Sequence, residues 1–279
     1  MADISRPTLP ASISEDIWAK TLEDSAVMRL AERIELPGNG LAIPVITGEP
    51  TADWVEETGA KPVSNSTVSI KTLQPYKLAV IETVSKELMD DMPRLYNALR
   101  ERLPFSIAKK FDETVFGSTA PGSNFDVLGG ATAVALGTDA YDAFVTVDGN
   151  IASAGGLMNG IVMSPQGKTV LLAEKDGDNR PLFNESVANS AIPTILGAPV
   201  TYSRGVYVAG SPAQLGFAGD WAHAKFGTVA GIEIAISDQA TLAVTGGTIN
   251  LWQQNMVAIR AEVRIGFVAE TAYFNKITA

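Results

Sequence analysis

The spacing of apolar residues changes along this chain, and each change marks a new kind of element. Residues 12–35 carry Ile13, Ile17, Leu30 and Ile34 on one side and predict a helix. Ser12 and Glu15 have the spacing of a capping box, in which each side chain satisfies an unpaired backbone N–H at the helix start. Pro37, Gly38 and Gly40 end the segment. From 41 to 84 the pattern turns extended. Residues 43–46, 68–70 and 78–84 are apolar and β-branched, and Gly48-Glu49-Pro50 and Gly59-Ala60-Lys61-Pro62 punctuate them. Strands flanking a polar middle make a long hairpin-like ribbon. Such a ribbon holds too little apolar area to be stable alone in water, so it must lie on its own body or on a neighbour. Trp54 and Val55, beside Glu56 and Glu57, are the expected anchors of that contact.

Residues 85–117 give the clearest helical signal. Leu95, Leu99, Leu103, Ile107, Phe111 and Val115 recur at every fourth position and form one packing stripe. Arg94, Arg100, Glu101, Lys109, Lys110 and Asp112 fill the other sides. Pro104 should kink the helix or divide it, and Gly117 should end it. Beyond it, 118–140 reads as loop, 141–158 as a weakly striped helix, 160–164 as a buried strand and 168–173 as a short helix. Residues 196–202, 215–220 and 232–237 return to β, and 250–277 alternates, with Val257, Ile259, Ala261, Val263 and Ile265 on one face. No internal repeat of solenoid or propeller length is present.

Composition narrows the picture. The chain has 279 residues, 46% of them hydrophobic, which suffices for one large domain or two modest ones and excludes disorder. The formal charge of −10 gives no electrostatic footprint for gripping phosphates, so direct nucleic-acid binding is disfavoured. With no cysteine, disulfides and thiolate metal sites are excluded. No secretory signal and no apolar run of membrane-spanning length is evident, which predicts a soluble, cytoplasmic product without a membrane partner.

Each short catalytic signature fails in the residues its chemistry requires. Ser106 and Lys109 have Ser-x-x-Lys spacing, but the companion Ser-Asp-Asn and Lys-Thr-Gly elements are missing. Gly167-Lys168-Thr169 looks like the end of a phosphate-binding loop, yet the first required glycine falls on Val162, so a polar helix start after Ser164-Pro165 is the better reading. His223 is the only histidine and cannot build a multi-histidine metal site. Asp176, Asp178 and Asn179 resemble the opening of a calcium loop with its glycine and closing glutamate misplaced. No catalytic, cofactor or metal residue is therefore expected, and the chain does not read as an enzyme.

Three stretches, in order, carry a resemblance to a known family. The first is Trp54-Val55-Glu56-Glu57, then Leu73-Gln74-Pro75-Tyr76-Lys77-Leu78-Ala79 and Val84-Ser85-Lys86-Glu87-Leu88-Met89-Asp90-Asp91. The second is Ile107-Ala108-Lys109-Lys110-Phe111-Asp112 through Val115-Phe116-Gly117. The third, and most specific, is Leu196-Gly197-Ala198-Pro199-Val200 followed by Gly216-Phe217-Ala218-Gly219-Asp220-Trp221. After it come Val257-Ala258-Ile259-Arg260-Ala261-Glu262-Val263-Arg264-Ile265-Gly266 and Ala272-Tyr273-Phe274.

Together these stretches resemble the major capsid proteins of tailed bacteriophages, and the resemblance implies an α+β fold shared with encapsulin shells. Its parts would be an N-terminal arm (1–40), an extended β-hairpin loop (41–84), a peripheral domain with a long spine helix (85–119 and 237–279) and an inserted axial domain (120–236). It implies self-assembly into pentamers and hexamers of an icosahedral head, with an encapsulin-like compartment as the alternative. Trp54, Val55, Glu56, Glu57, Lys61, Arg260, Glu262 and Arg264 are the candidate inter-subunit contacts. The implied partners are further copies of the chain, a portal, a separate scaffolding protein if one is needed, a possible decoration protein, and enclosed double-stranded DNA without sequence-specific binding. The implied location is the virion capsid, assembled in the cytoplasm of a bacterial host. Some family members form Lys–Asn crosslinks; Lys61 or Lys71 with Asn275 could take those roles, although no motif supports them.

Overall fold

A computed structural model describes residues 11–48, 52, 54–55, 57, 61, 63, 67–87, 92–137, 139–175, 194–244 and 247–279. The first helix runs Ala11–Asp24, so Ser12 lies inside it and not at the expected cap. Ser25 then caps a second short helix, Ala26–Leu30, by accepting the Met28 N–H. The predicted helix stops there. Residues Glu32–Glu35 form a strand, β1, because they gain a parallel partner in β10 (Ala224–Thr228), with Glu32 opposite Lys225 and their side chains 2.9 Å apart.

The ribbon begins with β2 (Leu41–Gly48) and returns through β3 (Thr67–Leu73). These two strands pair antiparallel with each other and make a sheet of their own. The next strand, β4 (Tyr76–Ser85), was expected at the end of the ribbon. It belongs instead to the main sheet, pairing through ten residues with β14 (Met256–Ala269). The ribbon therefore ends at Leu73. The far edge of β14 takes β10 and β11 (Glu233–Ser237) end to end, and β1 lies outside β10. Along β14 the burial alternates: Val257, Ile259, Ala261, Val263 and Ile265 are buried, while Arg260 and Arg264 are exposed.

A second, six-stranded sheet has the order β5 (Thr132–Ala135), β15 (Phe274–Thr278), β9 (Gln214–Gly219), β6 (Gly160–Met163), β8 (Ala198–Tyr202) and β7 (Thr194–Ile195). The final strand was expected beside the other C-terminal strands. It crosses into this sheet because β5 and β9 together satisfy both of its edges. Conversely, β10 and β11, expected with the inserted segment, lie in the first sheet. Residues 196–197 form the tight turn between β7 and β8, with positive φ at both Leu196 and Gly197, as a two-residue hairpin turn requires. The helix Ala140–Ser153, capped by Asp139, and the helix Pro165–Ala173, capped by Ser164, pack with the apolar faces of these strands.

The long helix, Met92–Phe116, joins the two sheets. It runs through Pro104 without a break, so the expected division does not occur. Proline removes one backbone hydrogen bond, and burial of Leu103, Pro104, Ile107 and Ala108 around it holds the turn in place. On the first-sheet side Phe111 packs edge-on against Phe125 and Phe267. On the second-sheet side Phe116 stacks on Phe217 at 5.1 Å and meets Trp221, which in turn meets Phe274. One continuous aromatic core thus spans both sheets.

Candidate functional site

The ribbon's root and its outer reaches differ sharply in burial. At the root Leu73 is fully buried with Leu36 and Val268, and Ile43 packs on this cluster. Farther along, Ile70 is 71% exposed and Val63 89%, and Trp54 stands fully in solvent. Val55, Glu57 and Lys61 are exposed as well. Glu56 lies outside the described residues. A large indole with no intramolecular cover is an unusual surface for a subunit that works alone.

The other candidate contacts lie on the solvent face of the main sheet. Arg260, Glu262 and Arg264 project from β14 on the face opposite its apolar stripe. Glu262 accepts from Lys77 Nζ at 3.2 Å, and Arg260 Nε lies 3.4 Å from it. Lys77 sits directly across from Arg264, and Ile81, half-exposed, across from Arg260. Arg264 has no ion-pair partner among the described residues. Three cations, Lys77, Arg260 and Arg264, share this face with two carboxylates, Glu262 and the exposed Glu233 directly across from it on β11, which leaves a net charge of +1 within an acidic chain. The ribbon's acidic residue Glu57 has the complementary sign.

Two tethers were not legible beforehand. Lys71, on β3, donates from Nζ to Asp126 Oδ2 at 2.8 Å and to the Ala269 carbonyl at 2.7 Å. Asp126 Oδ2 also accepts the Ala269 N–H. Asp112, expected among the polar sides of the long helix, is buried at 1% exposure. It accepts from the hydroxyls of Ser25 (2.6 Å) and Ser203 (2.7 Å) and from the backbone N–H groups of Ala26 and Val27. Each serine oxygen is already occupied by a backbone N–H, of Met28 and Gly205 respectively, so its proton is free to point at Asp112. Burial pushes the Asp112 carboxyl above the usual carboxylate range, and the hydrogen bonds from Ser25, Ser203, Ala26 and Val27 pull against that rise. The available signal was a second row, Pro104, Ala108, Asp112 and Phe116, all buried beside the predicted stripe.

The motifs that failed in sequence are spatially ordinary. Ser106 is exposed and Lys109 lies 3.6 Å from Glu113. Val162 is inside buried strand β6, and only Ser164 separates that strand from the following helix, which leaves no loop to wrap a phosphate. His223 stacks flat on Tyr273 at 3.7 Å. Asp176, Asp178 and Asn179 lie outside the described residues. The crosslinking roles do not fit two of their candidates. Asn275 is 1% exposed and accepts from Asn150, and Lys71 is held by Asp126 and Ala269. Among the described residues there is no cluster suited to a metal ion and no helix long and apolar enough to cross a membrane.

The family model described as the phage capsid family matches residues 6–277. The "probable major capsid protein" of Mycobacterium phage D29 is 28% identical over 273 residues, covering 91% of this chain and 84% of the relative. The major capsid protein of Staphylococcus phage 80alpha is 23% identical over 284 residues, covering 97% and 84%. A solved structure from Mycobacterium phage Adephagia superposes with a TM-score of 0.72 at 24% identity, over 91% of this chain and 89% of that one. One from Microbacterium phage Oxtober96 gives 0.72 at 22%, over 99% and 93%. The α+β fold is therefore that of phage capsid subunits, and with a family match over almost its whole length the chain belongs to the phage capsid family.

Proposed function

We propose that this chain, a major capsid protein of the tailed-phage kind, assembles as rings of five and six copies that close into an icosahedral head around double-stranded DNA. The exposed ribbon carries the reading: Trp54, Val63 and Ile70 lack cover in the subunit, and another copy supplies it. Its pairing only within itself favours a part that folds to completion on a neighbour. The relatives are named as phage capsid proteins, so an encapsulin-like compartment is not favoured.

In this reading the arm is 1–40, the extended loop is built on the ribbon, the long helix is the spine of a peripheral domain, and the second sheet is the core of the axial domain. Trp54, Val55, Glu56, Glu57 and Lys61 of one subunit meet the Arg260–Glu262–Arg264 face of the next. The contact is heterologous, so it propagates from copy to copy until curvature closes it. The negative charge of the chain suits a wall that does not hold its DNA. A portal, a scaffolding protein and a decoration protein are further partners, and assembly takes place in the bacterial cytoplasm. The family is structural and not a class of enzymes.

The test is sizing chromatography and negative-stain microscopy of the purified protein, alone and with a co-expressed scaffold. Closed shells or five- and six-fold rings are expected. A stable monomer at high concentration under both conditions contradicts the proposal.

A further inference from the structure

The root of the ribbon has two attachments of different character. The first is the apolar plug of Leu73, Leu36 and Val268. The backbone is tight here: a Cβ on Gly266 would come within 2.6 Å of the Gln74 carbonyl, and one on Gly40 within 2.9 Å of the Leu73 carbonyl. A plug of this kind fixes where the ribbon starts. Apolar contact is non-directional, so it does not by itself fix the angle at which the ribbon leaves.

The second attachment lies two residues farther out. Lys71 Nζ, Asp126 Oδ2 and the Ala269 peptide close a triangle of hydrogen bonds between the ribbon, the 118–131 segment and the end of β14. Asp126 is itself stitched to the sheet, its N–H donating to the Phe267 carbonyl. The lysine and aspartate side chains are 35% and 33% exposed. An ion pair so open to water contributes little to stability. Its geometry is nonetheless directional, and it bears on the one degree of freedom the plug leaves loose.

The length of the ribbon turns a small angle into a large displacement. From the Leu41–Leu73 pair to the Gly48–Thr67 pair the strands span about 24 Å, so a rotation of about 10° at the root moves their far end by about 4 Å. That is close to the spacing between neighbouring strands, enough to put Trp54 on the wrong part of an adjacent subunit.

We propose that Lys71, held by Asp126 and the Ala269 carbonyl, is a positioning residue that sets the angle of the ribbon and thereby the curvature of the shell. The inference rests on the ribbon lying across a neighbouring copy. It assigns to a weak ion pair a geometric duty and not a stabilising one.

The experiment compares the parent chain with Lys71→Met, Asp126→Asn and Lys71→Arg. The absence of cysteine permits a clean spin-label pair at Ile70→Cys and Asp148→Cys, one on the ribbon and one on the body. In unassembled subunits the parent and Lys71→Arg give a narrow distance distribution. Lys71→Met and Asp126→Asn broaden it by roughly 2 Å, the displacement that the same rotation gives at Ile70, about 10 Å from the root. Thermal unfolding of all four subunits coincides, and under assembly conditions the two broadened variants yield mixed diameters, tubes or open sheets where the parent yields one size. Equal distance distributions in the parent and both neutralised variants overturn the inference. So do shells of parental diameter from variants whose ribbons have broadened. A parent that forms no shells overturns the assembly reading instead, and the distance measurement still decides whether Lys71 holds the ribbon.

Discussion

Asp112 draws two separate segments of chain onto one turn of the long helix: the start of the second helix and the turn at Ser203. Asparagine has the same shape but turns two donors toward groups that are already donors. Asp112→Asn is therefore expected to cost about 3 kcal/mol, within the range for leaving buried polar groups unmatched. Urea unfolding of the unassembled subunit measures it. The pH dependence has a definite sign. Because burial raises the folded-state pKa above the unfolded value, the native state holds its proton more tightly and the contribution of Asp112 is greatest at low pH. The stability gap between parent and Asp112→Asn should narrow as pH rises through the folded-state pKa. A gap that widens over that range contradicts the assignment. At this scale the sequence was legible where chemistry needs a motif: the failed Ser106–Lys109 and Gly167–Thr169 readings match an exposed serine and a capped helix. It was illegible where chemistry depends on burial. Asp112 and Lys71 are ordinary polar residues until distant segments close over them.

The ribbon is the element that separates folding from assembly. Leu73 anchors it, whereas the strands beyond pair only with each other. Replacing residues 44–70 by an Asn-Gly turn should leave the unfolding temperature of the isolated subunit within about 3 °C of the parent, since little of the subunit core is removed. The same replacement should abolish shells, which microscopy checks. On the receiving face, Arg264→Glu should raise the concentration needed for assembly about fivefold, the factor a lost contact of ~1 kcal/mol gives, and Glu57→Arg should recover part of it. Light scattering against protein concentration reads both. Elements with a strong period were legible: the alternation of β14 and the four-residue stripe from Leu103 to Val115 appear as buried faces. The short strand β1 was not, because the same apolar positions fit a continued helix until β10 supplies a pairing partner.

At the scale of the whole molecule, two sheets share an aromatic core threaded by one helix, and apart from the passage through that helix the chain turns directly from one sheet into the other twice. Both crossings occur together: the turns at 221–223 and 271–273 are joined by the Glu270 N–H donating to the His223 carbonyl and by the stacked rings of His223 and Tyr273. Segment order in sequence placed β10, β11 and β15 with their neighbours along the chain, and the crossings separate them. That information is non-local and leaves no periodic trace. The family resemblance, resting on the order of short motifs, captured the fold that local periodicity could not assemble.

The central claim is that the apolar surface of the ribbon is covered by a different copy of the chain. A photo-activatable phenylalanine in place of Trp54, irradiated in assembled particles and mapped by mass spectrometry, tests it most directly. Crosslinks are expected between chains, onto the exposed face that carries Lys77, Arg260 and Arg264. Crosslinks confined within one chain, or the same yield from unassembled subunits, would contradict it.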